Sequence, residues 1–148
     1  MRRTKGWRQG LYTPRHPEKY IGDLGKIMYR SSWELECFQF LDNNINVYAW
    51  ASEPFPIPYI KPTDKKPHKY YPDFYVQYKN KRGDVIREVL EIKPKKQTQP
   101  STSRNRKTRL TEDLTYAINR AKWEAAISWC NKRNLSFRVI GETDMFRS

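Results

Sequence analysis

The sequence has few of the residues that build disulfide or histidine-based metal sites. It contains two cysteines, Cys37 and Cys130, and two histidines, His16 and His68. Both cysteines stand in apolar patterns typical of helices, which predicts reduced thiols in a core rather than a disulfide framework or a zinc site. No apolar run reaches the roughly 20 residues of a membrane-spanning helix, and no signal-peptide core follows the first residues. We therefore expect a cytosolic protein.

Acidic residues are also scarce. The chain has 16 Asp and Glu against 29 Lys and Arg, a formal net charge of +13 in 148 residues. A disordered basic tail would lack the five Trp and ten Tyr found here, so the composition favours one folded domain. A folded, strongly basic protein indicates a polyanionic partner.

The basic side chains concentrate in two segments. Residues 1–27 are rich in Arg, Lys, Gly and Pro and predict an extended basic arm, which leaves 28–148 as the domain. Residues 94–109 contain no acidic residue and predict a mobile basic loop. We expect its cations to bind DNA phosphates without sequence preference: Lys95, Lys96, Arg104, Arg106, Lys107 and Arg109. An acidic protein surface is the alternative partner for both segments, because charge alone does not separate the two.

Apolar periodicity predicts the order helix, strands, helix, strand. A helix is expected over 31–42, strands over 47–52, 70–78 and 85–93, and an extended crossing over 54–62. Asn80 and Gly83 predict a hairpin turn between the last two strands. Thr111 is a suitable N-cap for a long helix to about residue 133, and 135–142 predicts a closing strand. This order predicts an α/β fold with a small mixed sheet.

The register of the predicted hairpin brings two carboxylates together. If the turn is centred near Arg82, Asp73 lies directly opposite Glu91. Opposed residues share a face with Cβ atoms about 5 Å apart, and alternation places Lys93 on the same face. At an effective dielectric of about 20, two such charges repel by roughly 3 kcal/mol.

A divalent cation would remove this conflict. Lys93 offsets only part of the negative charge, and Glu34 shares a helical stripe with Phe38 and Leu41, which predicts an inward-pointing third carboxylate. Mg²⁺ prefers oxygen ligands and bridges to phosphate, as phosphodiester hydrolysis requires. We therefore expect Asp73, Glu91 and Glu34 around Mg²⁺, with Mn²⁺ as a substitute, and Lys93 beside the attacking water.

The motifs Pro72-Asp73 and Glu91-Ile92-Lys93 resemble those of the PD-(D/E)xK superfamily, the restriction-endonuclease-like fold. The longer pattern of Tyr29 to Glu34, Tyr71 to Phe74 and Leu90 to Pro94 is similar to the head completion nucleases of T-even-type bacteriophages. It is also similar to the endonuclease subunit of some cut-and-paste transposons. The resemblance implies a restriction-endonuclease-like core and a metal-dependent deoxyribonuclease.

The phage resemblance further implies a role in head completion and head–tail joining. DNA would be the substrate, phage head, portal or neck proteins would be partners, and the host cytoplasm during assembly, or the virion, would be the location. Two other functions stay open: a structural DNA-binding plug with little turnover, and a transposon-type endonuclease subunit recruited by a partner. The resemblance also implies that polar residues of the long helix, Asn119 and Lys122, approach DNA.

Several of these side chains have a structural alternative. Ser31 and Glu34 have the spacing of a helix capping box. Asp73 and Glu91 could face solvent and pair with Lys93 and a loop arginine. Asn119 and Lys122 could belong to a solvated helix face.

Overall fold

The computed structural model describes residues 9–146 and contains two α-helices and eight β-strands. The helices are α1, Ser32–Asn43, and α2, Arg106–Asn131. The strands are β1, Gly10–Leu11; β2, Met28–Tyr29; β3, Val47–Ser52; β4, Ile57–Lys61; β5, Lys66–Tyr70; β6, Phe74–Lys79; β7, Val85–Ile92; and β8, Ser136–Ile140. Within these described residues no helix is long and apolar enough to cross a membrane.

The main sheet has four strands in the order β3-β6-β7-β8. β3 and β6 are antiparallel, whereas β7 and β8 run parallel, as expected for strands joined through the crossover helix α2. The predicted α/β class with a small mixed sheet is confirmed. β1–β2 and β4–β5 form two further two-stranded sheets.

The chain divides into two compact units. The first contains the described residues up to Pro54 together with Phe74–Arg87, and the second contains Phe55–Asp73 and the described residues from Glu88 onwards. The core of the first unit packs α1 against β3 through Phe38 and Trp50, whose ring centroids lie 5.5 Å apart. Both side chains are essentially fully buried.

The N-terminal segment differs from the predicted extended arm. Its residues 9–27 are part of the first unit and pack against α1, where the ring centroid of Tyr12 lies 5.8 Å from that of Phe38. The buried carboxylate of Asp42 accepts hydrogen bonds from the Tyr12 hydroxyl and from the backbone amides of Arg15 and His16. Such a carboxylate fixes the segment because its charge needs those donors once it leaves water. The first eight residues, with Arg2, Arg3, Lys5 and Arg8, lie outside the described residues.

In the second unit a hairpin of β4 and β5 packs on α2. Ile57, Tyr59 and Tyr70 form its core with Trp123 and Ala126. The sequence had predicted an extended crossing over 54–62 and one strand over 70–78. The sequence did not predict the hairpin because Pro58 and Pro67 argue against strands that are paired on both sides. Proline is tolerated here because β4 and β5 form a two-stranded sheet.

The start of α2 was also predicted wrongly. The helix begins at Arg106, with the Asn105 side chain accepting the Thr108 amide at 2.9 Å, because Asn is as good an N-cap as Thr. The preceding segment contains a 3-10 turn, Lys95–Thr98, and Ser101 donates to Glu112 at 2.7 Å.

Candidate active site

The C-terminal end of β7 carries the Glu-x-Lys motif. β8 pairs in parallel with it, Glu91 opposite Val139, and the Lys93 amide donates to the Ile140 carbonyl at 2.9 Å. Alternation along the strand puts the side chains of Glu91 and Lys93 on one face, and Lys93 Nζ lies 3.3 Å from Glu91 Oε2. Because the Glu91 side chain is only 6% exposed, this is an ion pair at low dielectric.

Asp73 is anchored beside this motif. Its Oδ2 accepts the backbone amide of Ile92 at 2.8 Å, so the Asp73 carboxylate is held at the residue between Glu91 and Lys93. The turn has the predicted register where it begins, since the Asn80 amide donates to the Asp84 carbonyl at 2.9 Å. The structure therefore brings Asp73, Glu91 and Lys93 together.

Tyr70, which sequence reasoning missed, completes the surroundings of Glu91. Its hydroxyl donates to Glu91 Oε1 at 2.6 Å in a buried hydrogen bond. Burial above all, and then the charge of Glu91, raise the pKa of Tyr70 far above its ordinary value, so the phenol stays a donor. No local signal marked this residue, because its position depends on the unpredicted β4–β5 hairpin.

Lys122 of α2 lies close to the same group. Its Nζ is 5.7 Å from the ring centroid of Tyr70 and 5.9 Å from that of Tyr59, within cation–π range. Burial, followed by the charge of Lys93, lowers the pKa of Lys122, while Glu91 opposes this shift. A half-buried amine between two aromatic rings and a second lysine is suited to an anionic ligand.

Asn119 does not belong to a solvated helix face. Its side chain is 5% exposed, and its Nδ2 has no hydrogen-bond partner among residues 9–146. A buried donor left unpaired costs about 1–3 kcal/mol, so it calls for a water or ligand acceptor.

Glu34 adopts the helix-capping arrangement. The Ser31 hydroxyl accepts the Glu34 amide at 3.1 Å, and Glu34 Oε1 accepts the backbone amide of Arg30. Glu34 belongs to the first unit, and Asp73, Glu91 and Lys93 to the second. Its predicted part in catalysis or metal binding stays a prediction.

The donor set of the site suits a hard divalent cation. In the part of the chain that the structure describes, no three His, Cys, Asp or Glu side chains are grouped so as to hold a metal ion. Mg²⁺, however, is commonly held by one or two carboxylates and completed by water and substrate phosphate. Asp73 and Glu91 offer such a pair of oxygen ligands.

The model of the TnsA-like endonuclease N-terminal domain matches residues 44–142, which include Asp73, Glu91 and Lys93. The chain belongs to this endonuclease family. It is also 38% identical, over 139 residues and 90% of each chain, to the head completion nuclease of Enterobacteria phage T4. The predicted resemblance to these nucleases is confirmed. No solved structure matches the chain.

The predicted DNA-binding cations of this family member occupy the start of α2 and the segment before it. Arg106, Lys107 and Arg109 stand in the first turn of α2, where the helix dipole disfavours cations unless an anion is bound. Lys96 instead pairs with Glu112 at 2.9 Å. A cleft of about 460 Å³ lies between the segment before α2 and the part of α2 from Thr111 to Tyr116, and it is lined by Lys95, Lys96 and mostly polar side chains.

Proposed function

We propose that this protein is a metal-dependent deoxyribonuclease that acts in bacteriophage head completion and head–tail joining. The main support for a nuclease site is the hydrogen bond from the Ile92 amide to Asp73, because it fixes that carboxylate beside the Glu91–Lys93 pair. Two carboxylates and a lysine at one point suit phosphodiester hydrolysis, and the net charge of +13 suits DNA.

Asp73 and Glu91 would hold Mg²⁺ or Mn²⁺, which supplies Lewis-acid polarisation of the phosphate and lowers the pKa of bound water. Lys93 orients the attacking water and stabilises the phosphate charge. Tyr70 keeps one Glu91 oxygen fixed, so that the carboxylate retains its orientation as substrate enters. Lys122 and Asn119 offer the phosphate a cation and a hydrogen-bond donor.

The biological context follows from the relative. The T4 protein is named a head completion nuclease and is matched over 90% of both chains, which favours head completion over the transposon-type role. We extend this context to head, portal or neck proteins as partners and to the host cytoplasm during assembly as the location. The basic segment from Lys95 to Arg109 would bind DNA largely without base specificity.

The test compares wild type, Asp73→Asn and the exposed control Glu142→Gln on linear and supercoiled plasmid, with Mg²⁺, Mn²⁺ or EDTA. We expect cleavage by wild type and the control in either metal, and none by Asp73→Asn or in EDTA. Thermal melting establishes that each variant is folded.

The structural-plug alternative predicts a different result. Metal-independent gel shifts without cleavage by the folded wild-type protein would overturn the nuclease assignment and leave a DNA-binding protein. Cleavage that survives in Asp73→Asn would overturn the assigned site.

A further inference from the structure

The β4–β5 hairpin is a second basic element that sequence reasoning did not assign to DNA. Between Ile57 and Tyr70 it carries four lysines, Lys61, Lys65, Lys66 and Lys69, and a single acidic residue, Asp64. Asp64 is already engaged, since it accepts the Lys66 amide at 2.9 Å and pairs with His68 at 2.8 Å. Both contacts lower the pKa of Asp64, which therefore stays ionised within the hairpin.

The register of the hairpin sorts its side chains into two faces. Ile57 pairs with Tyr70, Tyr59 with His68, and Lys61 with Lys66, and these three pairs share one face. The face begins in the core on α2, where Ile57, Tyr59 and Tyr70 are buried. It ends at the turn in two lysines directly opposite each other. Lys69, opposite Pro58, lies on the other face.

This face leads directly into the candidate active site. Tyr70, at one end, donates to Glu91, and Lys122 lies over the rings of both Tyr70 and Tyr59. Lys61, at the other end, is close enough that its charge contributes to the lowered pKa of Lys122. A succession of four cations thus leads from the carboxylates to the hairpin turn: Lys93, Lys122, Lys61 and Lys66.

The charge of Lys61 acts on Asp64, but that carboxylate is already engaged by the Lys66 amide and by His68. Among residues 9–146 neither Lys61 nor Lys66 forms an ion pair, and like charges directly across a strand pair are destabilising. The four steps from Tyr70 to Lys66 span about 13 Å, which corresponds to about four phosphates of one strand counted along the axis of a DNA duplex. An extended polyanion bound along this face would neutralise the whole succession.

We propose that the outer part of this hairpin face, defined by Lys61, Lys66 and His68, binds the phosphates of one DNA strand and directs that strand to Glu91 and Lys93. The proposal rests on the nuclease function proposed above. It assigns the hairpin a role in substrate binding, so its lysines affect the affinity for DNA and leave the chemical step unchanged.

The experiment compares Lys61→Gln/Lys66→Gln with the charge-matched control Lys69→Gln/Lys132→Gln, whose lysines lie on the other hairpin face and at the end of α2. Binding of fluorescein-labelled single-stranded and duplex DNA is measured by anisotropy over a range of salt concentrations, in a Glu91→Gln background that prevents cleavage. Cleavage by the same double variants with Glu91 intact gives kcat and KM. Thermal melting follows folding, and the single variant Lys66→Gln serves if the double variant does not fold.

For Lys61→Gln/Lys66→Gln we expect at least tenfold weaker binding and a salt slope lower by about 1.4 on single strands or about 1.8 on duplex. KM should rise while kcat at saturating DNA is retained. The control should bind more tightly than this variant and keep a larger share of the wild-type salt slope. Equal losses in both variants, or an unchanged KM with reduced kcat, would overturn the assignment of the hairpin and leave the nuclease proposal standing. A folded wild type that neither binds nor cleaves DNA would overturn both.

Discussion

The hydroxyl of Tyr70 and the carboxylate of Glu91 are joined by a buried hydrogen bond of 2.6 Å, although the two residues lie 21 positions apart. This contact links the β4–β5 hairpin to the end of β7. Glu91 therefore has a fixed neighbour at each oxygen, Tyr70 at Oε1 and Lys93 at Oε2. Its orientation is set before substrate arrives.

Replacing Tyr70 by Phe should lower kcat about tenfold, because the loss of one hydrogen bond to a charged group costs about 1.4 kcal/mol or more. As a positioning residue, Tyr70 should also affect the Mg²⁺ concentration needed for half-maximal cleavage, which we expect to rise in Tyr70→Phe. The exposed neighbour gives the control Tyr71→Phe. Identical kinetics and Mg²⁺ dependence in the two variants would exclude the role assigned to Tyr70.

The environment of Lys122 predicts a specific pH dependence of stability. Its pKa is lowered in the folded protein, so below the ordinary value of 10.5 the unfolded chain binds more protons at this position than the folded one. The Lys122 contribution to the free energy of unfolding therefore becomes more favourable as pH rises through that window. Relative to wild type, Lys122→Met should gain more stability at pH 8 than at pH 10.5, as measured by urea denaturation. The exposed Lys132→Met is the control, and a pH-independent difference for Lys122→Met would contradict the prediction.

Asp42 should be essential for the docking of the N-terminal segment. Asn in its place has one acceptor oxygen where the carboxylate meets three donors, from Tyr12, Arg15 and His16. We expect Asp42→Asn to lower the free energy of unfolding by about 2–3 kcal/mol and to speed tryptic cleavage after Arg15. Asp23→Asn, at an exposed capping position, should do neither. Unchanged cleavage at Arg15 would show that the segment is held by its aromatic packing.

The two possible starts of α2 can be distinguished by paired substitutions. Asn105→Ala removes the N-cap observed in the structure and should cost about 1 kcal/mol, with faster hydrogen exchange at the Thr108 amide. Thr111→Ala lies inside the helix and should be neutral or slightly stabilising, since Ala has the higher helix propensity. The reverse result would restore the N-cap predicted at Thr111.

The charged constellation could be predicted because it depends on local rules. Alternation and the turn from Asn80 to Gly83 define the hairpin register, and that register places Asp73 beside the Glu91–Lys93 motif without any knowledge of the tertiary fold. The family resemblance added a class of chemistry to this geometry.

Tyr70 and the hairpin lysines could not be predicted in the same way. Pro58 and Pro67 gave β4 and β5 the appearance of irregular chain, and the pairing of these strands is stabilised by packing on α2. Glu34 was identified from the sequence, but its role was not, because the Ser-x-x-Glu pattern fits both a helix cap and a metal ligand. The sequence offers no means of choosing between them.

The Lys93 amide is held by the Ile140 carbonyl of β8, and the whole of α2 lies between these two residues in the chain. A ribosome must therefore make nearly all of the described chain before this backbone contact can form. The nascent polypeptide would carry Asp73, Glu91 and Lys93 long before β8 could pair with the end of β7. The candidate active site would therefore lack the backbone contact that holds Lys93 until synthesis is nearly complete.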